Sequence, residues 1–220
     1  MSSKPDLSQD PRYLEFVERY AGDLAAFAHE VCGIELPHDL VQAYEAAQQP
    51  SARVSIAADI GSLYQDDSQV GLLAPVALWH FFTRHNSTTV VVLPPGHKIC
   101  RRQYRILLRR VLHGPHAWLC NNLRVNDDQV YFSIYWRIRF RSAPSGSPEN
   151  LVGELSQRLL WLVEAANRLE RDCYGVIGGS CVFRDNGIVL LSDRNTSSTH
   201  VPSHWSTYPV ERATVVQTPT

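Results

Sequence analysis

Three short runs with almost no polar residue constrain this chain most. They are TTVVVL at Thr88–Leu93, RLLWLV at Arg158–Val163 and GIVLL at Gly187–Leu191. A strand that faces solvent on one side alternates apolar and polar residues, whereas a strand buried on both faces reads as a continuous apolar run. Segments of helix length separate these runs, and a parallel sheet needs such crossovers. The pattern therefore predicts an α/β fold with a mainly parallel sheet flanked by helices.

The rest of the chain fits that frame. Apolar residues from Leu14 through Val17, Ala21, Leu24 and Ala28 to Val31 recur at helical spacing, with Gly33 as a stop. They predict an N-terminal helical segment. Pro37 opens a second, shorter helix over roughly 39–48. Arg53–Ala57 is the first strand. Leu72–Arg84 is a helix with Pro75 in its first turn, where proline is tolerated. Lys98–Leu112 is a basic helix ended by Gly114-Pro115. Strands are expected at 117–125 and 129–141, and a helix with its exit at 167–178. In 129–141, Val130, Phe132, Ile134, Trp136, Ile138 and Phe140 share one face; Tyr131, Tyr135, Arg137, Arg139 and Arg141 share the other. Residues 1–12 read as a flexible N-terminus, 13–205 as one domain and 206–220 as a flexible tail.

Between the first strand and its helix lies ADIGSLYQDDSQVG, Ala58–Gly71. A loop so placed is where nucleotide-binding proteins carry G-x-x-x-x-G-K-[ST], whose amides and lysine hold phosphates. This loop has no lysine and two adjacent aspartates, Asp66 and Asp67. Each carboxylate beside a phosphate is repulsive by ~1 kcal/mol at 4 Å even in water.

Composition excludes several classes. A formal charge of −1 over 220 residues gives no global field toward nucleic acid or membrane. No apolar stretch is long enough to span a bilayer, and the N-terminus lacks a signal-peptide core, so the cytoplasm is the expected compartment. The five cysteines are scattered without a C-x-x-C pair and read as buried thiols. His113 and His116 are separated by a Gly-Pro turn, so no metal site is expected.

The order of segments from about residue 13 to 205 resembles the N-terminal ATPase domain of the phage terminase large subunit. RVSIA, ALWHFFTRHNSTTVVVLPP, SPENLVGE and LLWLVEAANRLERDCYGVIGGSCVFRDNGIVLLSDRNTSST carry the resemblance. It implies a P-loop-NTPase-like sheet, a phosphate loop, an acidic Walker B strand and a coupling motif. The chemistry residues depart from that pattern. Counted back from Trp79, the family's glycine, lysine and hydroxyl residue fall at Ser68, Gln69 and Val70. The Walker B acid pair falls on Glu164 and Ala165, or on Val163 and Glu164 in a register shifted by one. The coupling motif reads Asp193-Arg194-Asn195, and Leu40 stands where an adenine-reading glutamine belongs, with Gln42 two residues on. The chain also ends before the family's nuclease domain, so DNA cutting is not expected.

Hydrolysis needs a lysine and amides on the phosphates and acids around Mg²⁺ and water. Four altered motifs on a retained frame imply no catalytic residue, no cofactor and no metal. Glu164 reads as a strand-end carboxylate capping the next helix. The expected role is binding, as a decoy or inhibitor of a packaging complex or a host nucleic-acid-directed defence complex. A divergent active packaging ATPase and a decayed prophage fragment are the alternatives. Arg101, Arg102, Arg105 and Arg109 on one helix face, and Arg137, Arg139 and Arg141 on one strand face, are the candidate contacts with a protein or nucleoprotein partner, direct nucleic-acid contact included.

Overall fold

The computed structural model describes residues 7–60, 71–93, 98–142, 147–196, 205–210 and 216–217. Asp10 caps α1 (Pro11–Tyr20) by accepting from the Arg12 N–H. The helical periodicity expected to run on to Val31 breaks after Tyr20. Asp23 accepts the Ala26 N–H and starts a second helix, α2 (Leu24–Ala26), which widens into a π turn over Phe27–Val31. The buried stripe of α1 is the aromatic set Tyr13, Phe16 and Tyr20, while Leu14, expected inside, is 58% exposed. Gly33 stops this segment with φ +64°, a left-handed conformation that favours glycine. Next come β1 (Ile34–Glu35) and, after Pro37, α3 (His38–Ala47).

The remaining elements are β2 (Arg53–Ala58), α4 (Ala74–Thr83), β3 (Thr88–Leu93), α5 (Lys98–His113), β4 (Arg124–Val125), β5 (Gln129–Ser133), β6 (Trp136–Ser142), β7 (Leu159–Val163), α6 (Arg171–Ser180), β8 (Gly187–Asp193), β9 (Ser206–Pro209) and β10 (Val216–Gln217). The large sheet runs β4-β5-β6-β3-β7-β8-β2-β9. From β6 to β9 every pairing is parallel, and β4–β5–β6 form an antiparallel margin. The three apolar runs take the interior positions their composition requires, as β3, β7 and β8. β1 and β10 pair separately.

Three expectations fail locally. Residues 117–125 are a 3-10 turn (Ala117–Cys120) and the two-residue β4. Residues 129–141 fold into two strands around a turn at Ile134-Tyr135, which leaves Ile134 65% exposed. Within the supposed tail, β9 pairs with β2 in parallel.

The sheet divides the core. On one side α1, α3, α4 and α5 pack over Ile56, Val91, Leu160 and Leu162. On the other, α6 packs over Val90, Trp161, Val163 and Leu190. All ten residues of α4 are buried. Tyr104, Leu107, Leu108 and Val111 form the inward face of α5, as their spacing predicts.

His80 in α4 is buried and lies 2.8 Å from the Thr89 hydroxyl. Burial, then Arg84 and Arg158, push its pKa down from 6.5 to about 3. The neutral ring is the folded form. Its contribution is intact above pH 6.5 and is lost as pH falls from there toward 3, because the unfolded chain takes up the proton first. The slope is at most about 1.4 kcal/mol per pH unit. His116, also pushed down by burial, acts in the same direction. Urea titrations at pH 7.5 and pH 5 should show a loss of about 1–2 kcal/mol in the wild type and a smaller loss in His80→Gln. Equal losses would remove His80 from the pH response.

Candidate functional site

The C-terminal ends of β3, β7, β8 and β2 lie side by side along one edge of the parallel sheet, where such a sheet presents ligands. Ser68, Gln69 and Val70, with Asp66 and Asp67, lie outside the described residues. Gly71 packs tight against α5: a Cβ there would stand 2.7 Å from Gln103 Oε1. An anion-binding helix start offers free N–H groups to its ligand. At the start of α4 the Ala74 N–H is bonded to the Gly71 carbonyl, and Pro75 has none. Leu72, Leu73 and Ala74 are buried, and the Tyr44 hydroxyl donates to the Leu72 carbonyl at 2.6 Å.

Glu164 follows β7. Strand alternation turns Val163 toward α6 and Glu164 toward α5. Its carboxylate is buried, at 2% exposure, and accepts a hydrogen bond from the Tyr104 hydroxyl at 2.8 Å. The Glu164 N–H donates to the Val92 carbonyl. The capping role expected for Glu164 is not found: Ala165 caps the following 3-10 turn with no side-chain bond, and Glu170 holds the cap position of α6. Tyr44 feels the same enclosure; burial first, then Cys32 and Glu164, hold its phenol well above its ordinary pKa. In either register the residue next to Glu164 in sequence, Ala165 or Val163, carries no carboxylate. Ala165 is buried in a left-handed conformation, φ 51°, and Val163 packs against the opposite face.

Asp193, at the end of β8, folds back into its own turn. It accepts from the Asn195 N–H at 3.0 Å and lies 3.2 Å from the Thr196 hydroxyl. Leu40 is a buried core residue and Gln42 is exposed. Among the described residues no three His, Cys, Asp or Glu side chains group as metal ligands. Cys32 and Cys173 are buried thiols, as expected. Cys120 and Cys181 are half-buried, and burial pushes Cys120 up to about 12.

The arginines are placed differently from the expectation of an open basic surface. β6 is an interior strand between β5 and β3, and Arg137, Arg139 and Arg141 converge on Glu154 at 3.4, 2.5 and 3.0 Å. The Glu154 side chain is 1% exposed. Arg101 lies 3.6 Å from Asp128 and Arg105 lies 3.1 Å from Asp127. Among the described residues, at least five of the seven candidate arginines thus face carboxylates of their own fold. Arg102 and Arg109 are exposed on α5.

No protein-family model matches the chain. Over 189 residues it is 22% identical to the "probable terminase, large subunit" of Enterobacteria phage P7, covering 83% of this chain. It spans 37% of that relative, little more than a third of its length. Among solved structures it superposes on the large terminase ATPase domain of Thermus phage P74-26 with a TM-score of 0.53 at 13% identity, covering 82% of this chain and 83% of that one. On the large terminase of bacteriophage HK97 the TM-score is 0.54 at 11% identity, covering 78% and 37%. The chain has the fold of a large-terminase ATPase domain.

On that terminase-like sheet, Glu164 stands at the end of β7, where the resemblance places Walker B acids. The sequence had singled it out without its partner, because Tyr104 lies 60 residues away. Glu154 was missed. Its signal was present: one acid in the apolar loop LVGEL, with three arginines at period two on a single strand face.

Proposed function

We propose that this terminase-ATPase-like chain does not hydrolyse ATP and acts by binding, as a decoy or inhibitor of a DNA-packaging or host nucleic-acid-directed defence complex. The observation that carries this reading is the state of Glu164. A Walker B acid must meet a hydrated metal, yet this carboxylate is enclosed by Tyr104 and followed by the buried methyl of Ala165. The packing of Gly71–Ala74 supports the same reading, and so does the sequence of the loop before it. What remains is a folded surface with exposed Arg102 and Arg109 and no helix, among the described residues, long and apolar enough to cross a membrane.

Purified protein with double-stranded DNA and Mg-ATP is expected to show no phosphate release above blank. Mg-ATP at millimolar concentration is expected to give no rise in Tm, although a ligand that binds only the native form at 100 times its Kd adds about 2.7 kcal/mol. Ser68→Gly/Gln69→Lys is expected to stay inactive, since the second acid is still absent. Turnover by either protein would overturn the pseudo-ATPase reading. The binding role is tested by titrating the chain into packaging driven by the large terminase of phage P7. Dose-dependent inhibition is expected; an unchanged rate at tenfold excess counts against a packaging decoy.

A further inference from the structure

The arginines of β6, with Arg101 and Arg105 of α5, meet acids of their own fold, whereas Arg84 and Arg158 are held by main-chain oxygens. Arg84 caps the C-terminus of α4, and Arg158 immediately precedes β7. Arg84 Nη2 donates to the Ala21 carbonyl at 3.1 Å, and its guanidinium lies over the Trp79 ring at 5.4 Å. Arg158 Nη1 donates to the His85 carbonyl at 2.8 Å. Each side chain is held by a main-chain oxygen, and among the described residues neither forms an ion pair. Both line one cleft of about 90 Å³, together with His80, Gln48, Asp185 and Gly187. The cleft lies at the N-terminal end of the sheet, opposite the nucleotide position.

The electrostatics of this cleft are one-sided. Two guanidiniums face it and one carboxylate, Asp185, lies on its wall. Arg84 is held below its ordinary pKa by burial and then by the positive charge of Arg158, with Asp185 acting the other way. Capping the α4 C-terminus accounts for one arginine. It does not account for a second cation held beside the first, nor for the open volume between them. An arginine fork with some of its N–H groups fixed on the protein and others open is suited to planar or tetrahedral oxyanions. Drug-sized ligands occupy clefts of roughly 300–1,000 Å³, so this cleft has room for a single oxyanion group and not for a nucleoside.

We infer that Arg84 and Arg158 form a binding site for one phosphate group, on the sheet end opposite the degenerate nucleotide position. The site is independent of the pseudo-ATPase reading. The bound anion bridges the two guanidiniums and ties α4 to the start of β7.

Titration calorimetry with inorganic phosphate, at constant ionic strength against chloride, tests the site. Saturable one-to-one binding is expected for the wild type and for Arg184→Gln, an exposed arginine in the neighbouring turn that does not line the cleft. Arg158→Gln, also at an exposed position, should weaken binding at least tenfold. Adenosine monophosphate separates the sources. Binding at least as tight as that of free phosphate marks a site for a phosphate borne on a larger molecule; weaker binding marks a site for the free ion. Absence of saturable binding up to 20 mM phosphate, or equal affinity in Arg158→Gln, would overturn the inference. The same variant keeps this site apart from the nucleotide position: a Tm rise with Mg-ATP that vanishes in Arg158→Gln belongs to this cleft, and one that survives belongs to the nucleotide position.

Discussion

Glu154→Gln is expected to destabilise the protein by about 3–5 kcal/mol, the range for breaking a buried ion pair from one side. For a chain of this size that is roughly 10 °C in Tm. The glutamine is nearly isosteric, so the loss is electrostatic. Three guanidiniums, each about a quarter exposed, would keep their positive charge beside a neutral amide. Each single Arg→Gln change at 137, 139 or 141 should cost less, because two cations remain on the carboxylate. An exposed pair such as Arg12–Asp10 should contribute under 1 kcal/mol. Urea denaturation of the four variants orders them. A Glu154→Gln loss below 1 kcal/mol would show that solvent screens the cluster.

Tyr104→Ala is the second large effect, at about 3–5 kcal/mol for truncating a buried aromatic side chain. The ring packs edge-on to Phe140 at 5.5 Å, and its hydroxyl bonds Glu164. Tyr104→Phe keeps the ring and withdraws one donor from a buried carboxylate, for about 1–3 kcal/mol. The difference between the two variants separates packing from hydrogen bonding. If Tyr104→Phe matches wild type, the hydroxyl does not hold Glu164, and the enclosure of the acid rests on shape alone.

The parts of the fold legible in sequence are those decided locally. TTVVVL, RLLWLV and GIVLL could be little other than interior strands, and α5 declares its buried face by spacing. The misreadings arise where local pattern and tertiary context diverge. Apolar alternation runs straight through Ile134-Tyr135, so nothing in the periodicity marks a hairpin; the Ser133 hydroxyl, 3.2 Å from the Tyr135 N–H, makes the turn without glycine. Asn122, at φ 74°, ends the segment after the 3-10 turn that was read as strand. Ser206–Pro209 carries too little apolar character to signal a strand and is one only because β2 offers an unpaired edge. The candidate site divides in the same way. That Ala165 carries no acid where the resemblance places one is visible in the letters, but the contact of Glu164 with Tyr104 arises only in three dimensions. The arginines of β6 were legible as a row, and their function as ligands of Glu154 was not, because that contact spans 13–17 residues.

The place of β9 bears on how this chain is made. β2 is complete by Ala58, yet its outer neighbour begins at Ser206, so during synthesis almost the whole domain emerges before that flank is occupied. Until then β2 presents a row of unsatisfied amides and carbonyls, a template for any extended peptide nearby. Nascent chains on one messenger stand close together, and their shared hazard is cross-pairing through this flank. Docking of residues 206–209 is the step that covers this flank of β2.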